Sequence, residues 1–577
     1  MKILRNYFFQ ALVFVVTVIL MQSCSCNEGT AADRVRKVAS DKTDIIVAGD
    51  VRKFMEQAEV EVKDGRLVLP QYFVDFMSSV SDDRYIADDI DEIESVRTGI
   101  DFSSCVVAAS VSRAGGDFVF SFGIDDVDEF YAFLQQTGNR MEMSKIGGYT
   151  IIGDRYGSMV IDGKDAYMVF RNGDLMKNEK AVTSLEKWFQ EAKETPVEDW
   201  KVNYLTENTV LSAWMSNEAL RKTDPKDWQE LKELVENVPG VKIPNLSLGI
   251  SFDIEGATAT GNLTVFDGDQ VMKSPFGGEF DTNLLKYTTN EDVVIYGGAL
   301  NEQAIGNIRM LINNELNSEL KSYQDELRNG YTSPEWCQRQ IASITTAKNL
   351  FNTICESTGG SVMMAFGGDF SDVTKLMNNP QNAMHFVMAA NCKPGQAAKV
   401  LAEIVKVMNE IAPGSMTLVG NKATMKIDDF TVYVEVEGNN LVASNAKITT
   451  NGKISGDVFV NTWLAGQVRV DKNNPVMKLV SMPFGVEISG KAVDMSLNFT
   501  MSFPGSDKKF IPTIFGIMRD LVPLALNFYG RGYGYDYDDY GGYDYADADF
   551  YDLDDEFILD DSYLNDPDSY YDYDEWM

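Results

Sequence analysis

Two stretches of this chain, more than 200 residues apart, carry the same string of strand and turn residues, and that recurrence limits the fold more than any other feature. Thr150-Ile151-Ile152-Gly153-Asp154-Arg155, followed by Ile161-Asp162, matches Thr417-Leu418-Val419-Gly420-Asn421-Lys422, followed by Ile427-Asp428. Each string leads into alternating apolar residues, Tyr167-Met168-Val169-Phe170 and Val432-Tyr433-Val434-Glu435. Alternation bounded by Gly and Asn or Asp is the signature of β-hairpins. Earlier in each half, Asp44-Ile45-Ile46-Val47-Ala48-Gly49 and Asp292-Val293-Val294-Ile295-Tyr296-Gly297 read as opening strands. Between these words each half carries a strand and then an amphipathic helix. Its apolar residues are Val127, Phe130, Tyr131 and Leu134 in one half and Leu401, Ile404, Val405 and Met408 in the other. That spacing buries one helix face against a sheet. Paired strands close each half, from Leu246 to Phe266 and from Gly485 to Met501. The expectation is an α+β chain of two tandem related domains, 44–280 and 281–505, with mostly antiparallel sheets and packed helices. Thr150 should then coincide with Thr417, and Asp162 with Asp428. Units this long are tandem domains and not the short repeats of a solenoid.

The N-terminus reads as an address. Lys2 and Arg5 precede an apolar run from Tyr7 to Met21, then Gln22-Ser23-Cys24. A basic start, a short apolar core and a small residue before the cut define a secretory signal, here residues 1–23. The run falls below the roughly 18–20 apolar residues that a spanning helix needs. Leu20-Met21-Gln22-Ser23-Cys24 is similar to a bacterial lipobox, in which Cys24 would carry the lipid anchor and its acyl chains, such as palmitate; Cys26 is the alternative. Ser25 after the anchor points to the outer membrane, with the periplasmic and outward faces both open. Residues 24–43 are polar and read as a tether. The Ser23-Cys24 anchor, the Asp44 to Gly49 opening and the start at Gly99-Ile100-Asp101 resemble Bacteroidota lipoproteins of the domain-of-unknown-function 4836 family. That resemblance covers most of residues 24–505. It implies an envelope location and this architecture, and it supplies no catalytic residues.

Charge and composition narrow the function. Lys and Arg number 51 against 87 Asp and Glu, a net charge of −36, which argues against nucleic acid because phosphate contacts need clustered cations. A single His, His385 at the head of the strand Phe386-Val387-Met388, reads as structural. No GxSxG, GxxxxGK[ST], HExxH or CxxC motif occurs. Cys337 and Cys355 lie on one expected helix, about 27 Å apart at 1.5 Å per residue, too far to pair. Cys105 and most other thiols read as small buried apolar groups. The expected role is a non-catalytic binding or structural module of the cell envelope, with no cofactor, the membrane as one partner and an envelope protein or glycan as another. The alternative is a glycan-directed hydrolase using an unidentified carboxylate pair.

Residues 506–528 are apolar and read as a last helix. The tail, 529–577, holds 17 acids, one Arg and 12 of the 25 Tyr. Such self-repelling sequence reads as disordered. Asp536, Asp538, Asp544 and Asp547 fall at positions 1, 3, 9 and 12 of a calcium loop, but Tyr540 replaces an oxygen ligand at position 5.

Overall fold

The structure is a computed structural model that describes residues 28–519, apart from 81–89, 91–92, 112–116, 137–140, 208, 224–228, 230–231, 233–241, 290–291, 331, 369–382, 428–429, 449, 451, 453–456, 473–476 and 478–481. All described residues belong to one compact unit. The acidic tail and Cys24 lie outside them.

Twenty strands form the body of one antiparallel sheet. In the first half they are β1 (Ile45–Gly49), β2 (Val106–Val111), β3 (Asp117–Gly123), β4 (Glu142–Ile146), β5 (Tyr149–Gly153), β6 (Ser158–Asp162), β7 (Asp165–Arg171), β8 (Leu211–Ser216), β9 (Leu246–Glu255) and β10 (Thr258–Asp267). The second half supplies β11 (Asp292–Ala299), β12 (Thr358–Gly368), β13 (Met384–Cys392), β14 (Met416–Val419), β15 (Lys422–Ile427), β16 (Phe430–Glu437), β17 (Asn440–Ser444), β18 (Leu464–Val470), β19 (Val486–Val493) and β20 (Ser496–Ser502). Two short strands, Asp174–Leu175 and Gln270–Val271, bring the described sheet to 22.

From its outer edge inward, the first half pairs in the order β4-β5-β6-β7-β3-β2-β1-β8-β9-β10. The second half runs β14-β15-β16-β17-β13-β12-β11-β18-β19-β20, so each strand has a counterpart ten numbers on. The halves meet where β10 pairs antiparallel with β20. Just before these two strands the chain turns at positive φ, through Gly256 (57°) and Asp494 (52°). Five residues after each turn residue, Gly261 and Phe499 stand opposite each other. The sheet's local two-fold relation passes through that pair. There is room for one side chain only, because a methyl group on Gly261 would overlap the Phe499 ring.

The two opening words fall on counterpart strands, β1 and β11. The longer words do not. Thr150 lies on β5, the second strand after its helix, and Thr417 on β14, the first; the Ile161 and Ile427 words are offset in the same way, and Asp428 lies outside the described residues. The counterpart of Gly420 (φ 61°) in the pairing order is Gly147 (φ 62°), which turns β4 into β5. Neighbouring strands of a half-buried hairpin draw on the same residue types, so the words slip by one strand without losing their alternation.

Nine helices matter for the surfaces: α1 (Glu28–Val38), α2 (Gln71–Val80), α3 (Val127–Gln136), α4 (Asn178–Glu194), α5 (Asp199–Leu205), α6 (Glu302–Asn329), α7 (Pro334–Ser357), α8 (Ala397–Ile411) and α9 (residues 510–519). The stretch 28–43 is therefore not a polar tether. Helix α1 places Ala31, Val35 and Val38 in the first core with no more than 2% exposure. Its polar residues misled because they point outward or, as with Arg34, are buried with partners. Helix α9 packs by Ile511 and Phe515 against Ile254, Ala259 and the rings of α2, with Phe515 edge-on to Phe76 at 4.8 Å. The stretch 520–528 of the expected last helix lies outside the described residues. Helix α6, capped by Asn301 and ended by Gly330 at φ 70°, forms a hairpin with α7, tied by Arg309 to Asn352 at 2.7 Å. Cys337 and Cys355 both lie on the unbroken α7 and are free thiols, as are Cys105 and Cys392.

Candidate binding surface

The polar clusters come first, because catalysis would need one. Arg34, 7% exposed, reaches from α1 to the Cys105 carbonyl, to Asp165 Oδ1 at 2.5 Å and to Ser104 Oγ at 3.3 Å. Lys37 donates to Asp162 at 2.9 Å and to Asp165 at 3.4 Å, and the Tyr167 hydroxyl donates to Asp165 at 3.1 Å. Burial pushes the Asp165 carboxyl up. The Arg34 charge, the Arg34 hydrogen bond and Lys37 outweigh it and hold that carboxyl below the usual carboxylate range. Burial opposes the charge on Lys37, but Tyr167 and Asp162 keep its ammonium above the ordinary lysine value, while burial and then Asp165 raise the Tyr167 phenol. At neutral pH Asp165, Lys37 and Tyr167 thus hold their ordinary charges, and none of the three is poised to exchange a proton. The cluster is a latch that fixes α1 to the β6–β7 turn.

His385 has a similar status. Its Nε2 lies 2.6 Å from Asp292 Oδ1 and 3.2 Å from Thr289 Oγ1. A Ser/Thr–His–Asp relay needs the acid and the nucleophile on opposite ring nitrogens. Here both face Nε2, so the arrangement satisfies a buried carboxylate. Among the described residues no three His, Cys, Asp or Glu side chains gather to hold a metal ion. The calcium-loop candidates Asp536, Asp538, Asp544 and Asp547 lie outside the described residues.

The sheet itself carries the strongest feature. One face is packed on either side of the seam: α1, α4 and α5 cover it in the first half, and in the second Ile295, Met363 and Val387 point into a core closed by Leu284, Leu285 and Tyr287, all no more than 5% exposed. Register fixes what points the other way. On β11 and β12 these are Val294, Tyr296, Val362 and Phe366, between 36% and 45% exposed. Across the seam come Ile488, Leu497, Phe499, Leu263 and Ile250, exposed to a similar extent. The same face continues through Ala213 and Val47 to Ala108 and Phe120. From β7 to β13 this face crosses thirteen adjoining strands. Asp267, at the end of β10, is the only charged residue that register places on it within those strands.

Helices rise at the margins of this face. Helix α8 packs Leu401 and Ile404 onto Phe386 and Ala443, beyond Met388. Helix α3 sets Phe130 against Phe122, with ring centres 5.8 Å apart, at the far side. Helix α9 closes one end over Ile254 and Ala259. The exposed floor between them holds about eleven large apolar side chains, on the order of 700 Å² of apolar surface, above the ~300–600 Å² of the largest patch on an ordinary monomer. The sequence carried a signal for it. Val293-Val294-Ile295-Tyr296 and Val362-Met363-Met364-Ala365-Phe366 are unbroken apolar runs, and a strand of that kind is apolar on both faces.

No protein-family profile matches the chain, and no curated protein matches it. Among solved structures, crystal form I of TP0453 aligns with 41% of this chain and 80% of its own length, at 12% identity and a TM-score of 0.23. A likeness of that size carries no argument about fold or function.

Proposed function

We propose that this chain is a lipoprotein of the cell envelope, held at the outer membrane by acyl groups on Cys24, that works as a non-catalytic binding module through the apolar face of its sheet. The observation that carries the binding role is that face: a half-exposed, nearly uncharged surface framed by helices and larger than solvation alone favours. The anchor rests on the residues around Cys24, and the resemblance to the domain-of-unknown-function 4836 lipoproteins agrees with it. Several acyl chains, at about 0.8 kcal/mol per buried CH₂, hold a protein to a bilayer durably. We read the body as two related α+β halves, 44–280 and 281–505, arisen by duplication. The support is the strand-for-strand pairing order and the seam at Gly261 and Phe499. The acidic tail, 529–577, we read as a solvated brush outside the packed body.

The anchor is tested by metabolic labelling with a fatty acid followed by fractionation. Cys24→Ala should abolish labelling and release the protein from membranes. Labelling that persists in this variant and disappears in Cys26→Ala would move the anchor two residues on; labelling that persists in both removes the lipoprotein reading.

A further inference from the structure

We infer that the apolar floor of the sheet takes the hydrocarbon chain of a lipid, lying across the strands between α3 and α8. The inference rests on the reading of that face as a binding surface and names its ligand.

Three observations select hydrocarbon over the other occupants of an apolar face. The first is the lack of hydrogen-bonding groups. A protein partner makes about one hydrogen bond per 100–200 Å² of interface, so a floor of on the order of 700 Å² would offer several. Among its exposed side chains this one offers the Tyr296 hydroxyl and, at the end of β10, the Asp267 carboxylate, and the strand backbones are already paired in the ladder. An acyl chain asks for none. The second is relief. Helices α3, α8 and α9 stand on the same face as the floor, each about 10 Å thick, as deep as the spacing of two packed sheets. Those walls keep a flat bilayer, or the floor of a second copy, from closing onto the strands, whereas a single hydrocarbon chain lies well within their height. The third is charge. The chain, at net charge −36, repels another copy of itself, and the hydrocarbon part of a lipid feels no such barrier.

Dimensions agree. From β9 to β13 the floor crosses eight strands, or about 34 Å at ~4.8 Å per strand. A bilayer's hydrocarbon core, two acyl chains deep, is about 30 Å. The floor is long enough to seat one fatty chain at full extension, with room to slide. Glycines at Gly466 and Gly490 lower the floor between larger residues, and Met364, Met384 and Met388 supply adaptable side chains where it meets α8.

The test uses the full chain carrying Cys24→Ala, so that no anchor lipid competes, with cis-parinaric acid as the fluorescent probe and palmitic acid as competitor. Saturable binding, displaced by palmitic acid, is expected. Val294→Lys and Leu497→Lys should each weaken it at least about tenfold, the equivalent of two methylenes left in water. Val62→Lys, on a separate two-stranded hairpin, should leave it unchanged. Circular dichroism and the urea midpoint must match the parent for each variant; Leu263→Lys replaces any variant that fails this. Binding that ignores both lysines overturns the inference. So does capture of neutral phosphatidylcholine vesicles without binding of the free acid, which would mean a bilayer docks there. A chain that sediments as a dimer, becomes monomeric with either lysine and binds no probe overturns hydrocarbon while keeping the face as a binding surface. If there is no binding, no dimer and no vesicle capture, the binding role itself falls with it.

Discussion

Replacing Arg34 by Met tests whether α1 is part of the fold. The substitution keeps the length and apolar stem of the side chain and removes only the guanidinium. Three acceptors lose their donor: the Cys105 carbonyl, Ser104 Oγ and Asp165 Oδ1. Breaking a buried ion pair by removing one partner costs ~3–5 kcal/mol. Asp165 is 26% exposed and keeps Lys37 and the Tyr167 hydroxyl, so its share is smaller. A loss of about 2–4 kcal/mol is expected. Urea unfolding followed by tryptophan fluorescence, to which the buried Trp214 on β8 contributes, gives the difference in midpoint and slope. The pH dependence supplies a second arm. In the parent, Asp165 is held below its unfolded value of ~3.9, so its contribution is fully present above that pH and is lost as pH falls through the lower folded value. In Arg34→Met, burial of Asp165 acts without the opposing guanidinium, and protonation relieves it. The gap between parent and variant should therefore narrow from about pH 5 to pH 3. A loss under ~1 kcal/mol at pH 7, or a gap that widens in acid, would refute the assignment of Arg34 as the latch of α1.

Three further outcomes follow from the architecture. Residues 28–280 and 281–519, produced separately and mixed, should form a one-to-one complex through β10 and β20, and Leu497→Pro should abolish it; halves that ignore each other in sedimentation would remove the seam as a stabilising joint. Met363→Ala, at a side chain with no exposure, should cost about 2–5 kcal/mol in urea unfolding, whereas Val362→Ala, one residue earlier and facing the floor, should cost under ~1; equal costs would mean the two faces are not packed as described. Deleting 529–577 should leave the melting temperature of the body within about one degree, because acids on this scale do not pack without cations; a loss of several degrees in calorimetry would show that the tail docks.

Much of the fold was legible in residue patterns, and the failures have physical causes. The opening words at Asp44 and Asp292, both amphipathic helices, and the closing hairpins lie on counterpart elements. The helix between Cys337 and Cys355 was legible from Pro334 at its start and the lack of breakers within it. The Thr150 and Thr417 words slipped by a strand because alternation specifies a face and not a position in the sheet. Helix α1 escaped because Ala31, Val35 and Val38 are sparse among charged neighbours, and the buried Arg34 counts as polar in any window. The floor escaped for a different reason. Apolar runs such as Val362 to Phe366 announce burial on both faces, and in this sheet only one face is covered.

The two halves share strand order and differ in what covers them, and that difference bears on why the floor stays open. The first half places a long insertion after β7, giving α4 and α5, and buries its packed face under them together with α1. The second half instead covers the corresponding strands by the short helical turn Thr282–Tyr287 and by Phe459, and its long insertion between β11 and β12 becomes the α6–α7 hairpin. One of these two insertions has thus been spent on the packed face, and the other sets α7 against α8, where Thr346 Oγ1 donates to Glu410 Oε2 at 3.2 Å. None of the described elements crosses the central floor, although α3 and α8 sit on that face at matching places in both halves. A surface of this size carries a standing solvation cost, and either of these insertions could have relieved it by folding a few turns the other way. That the helices stop at its margins in both halves is what a surface kept for a ligand requires.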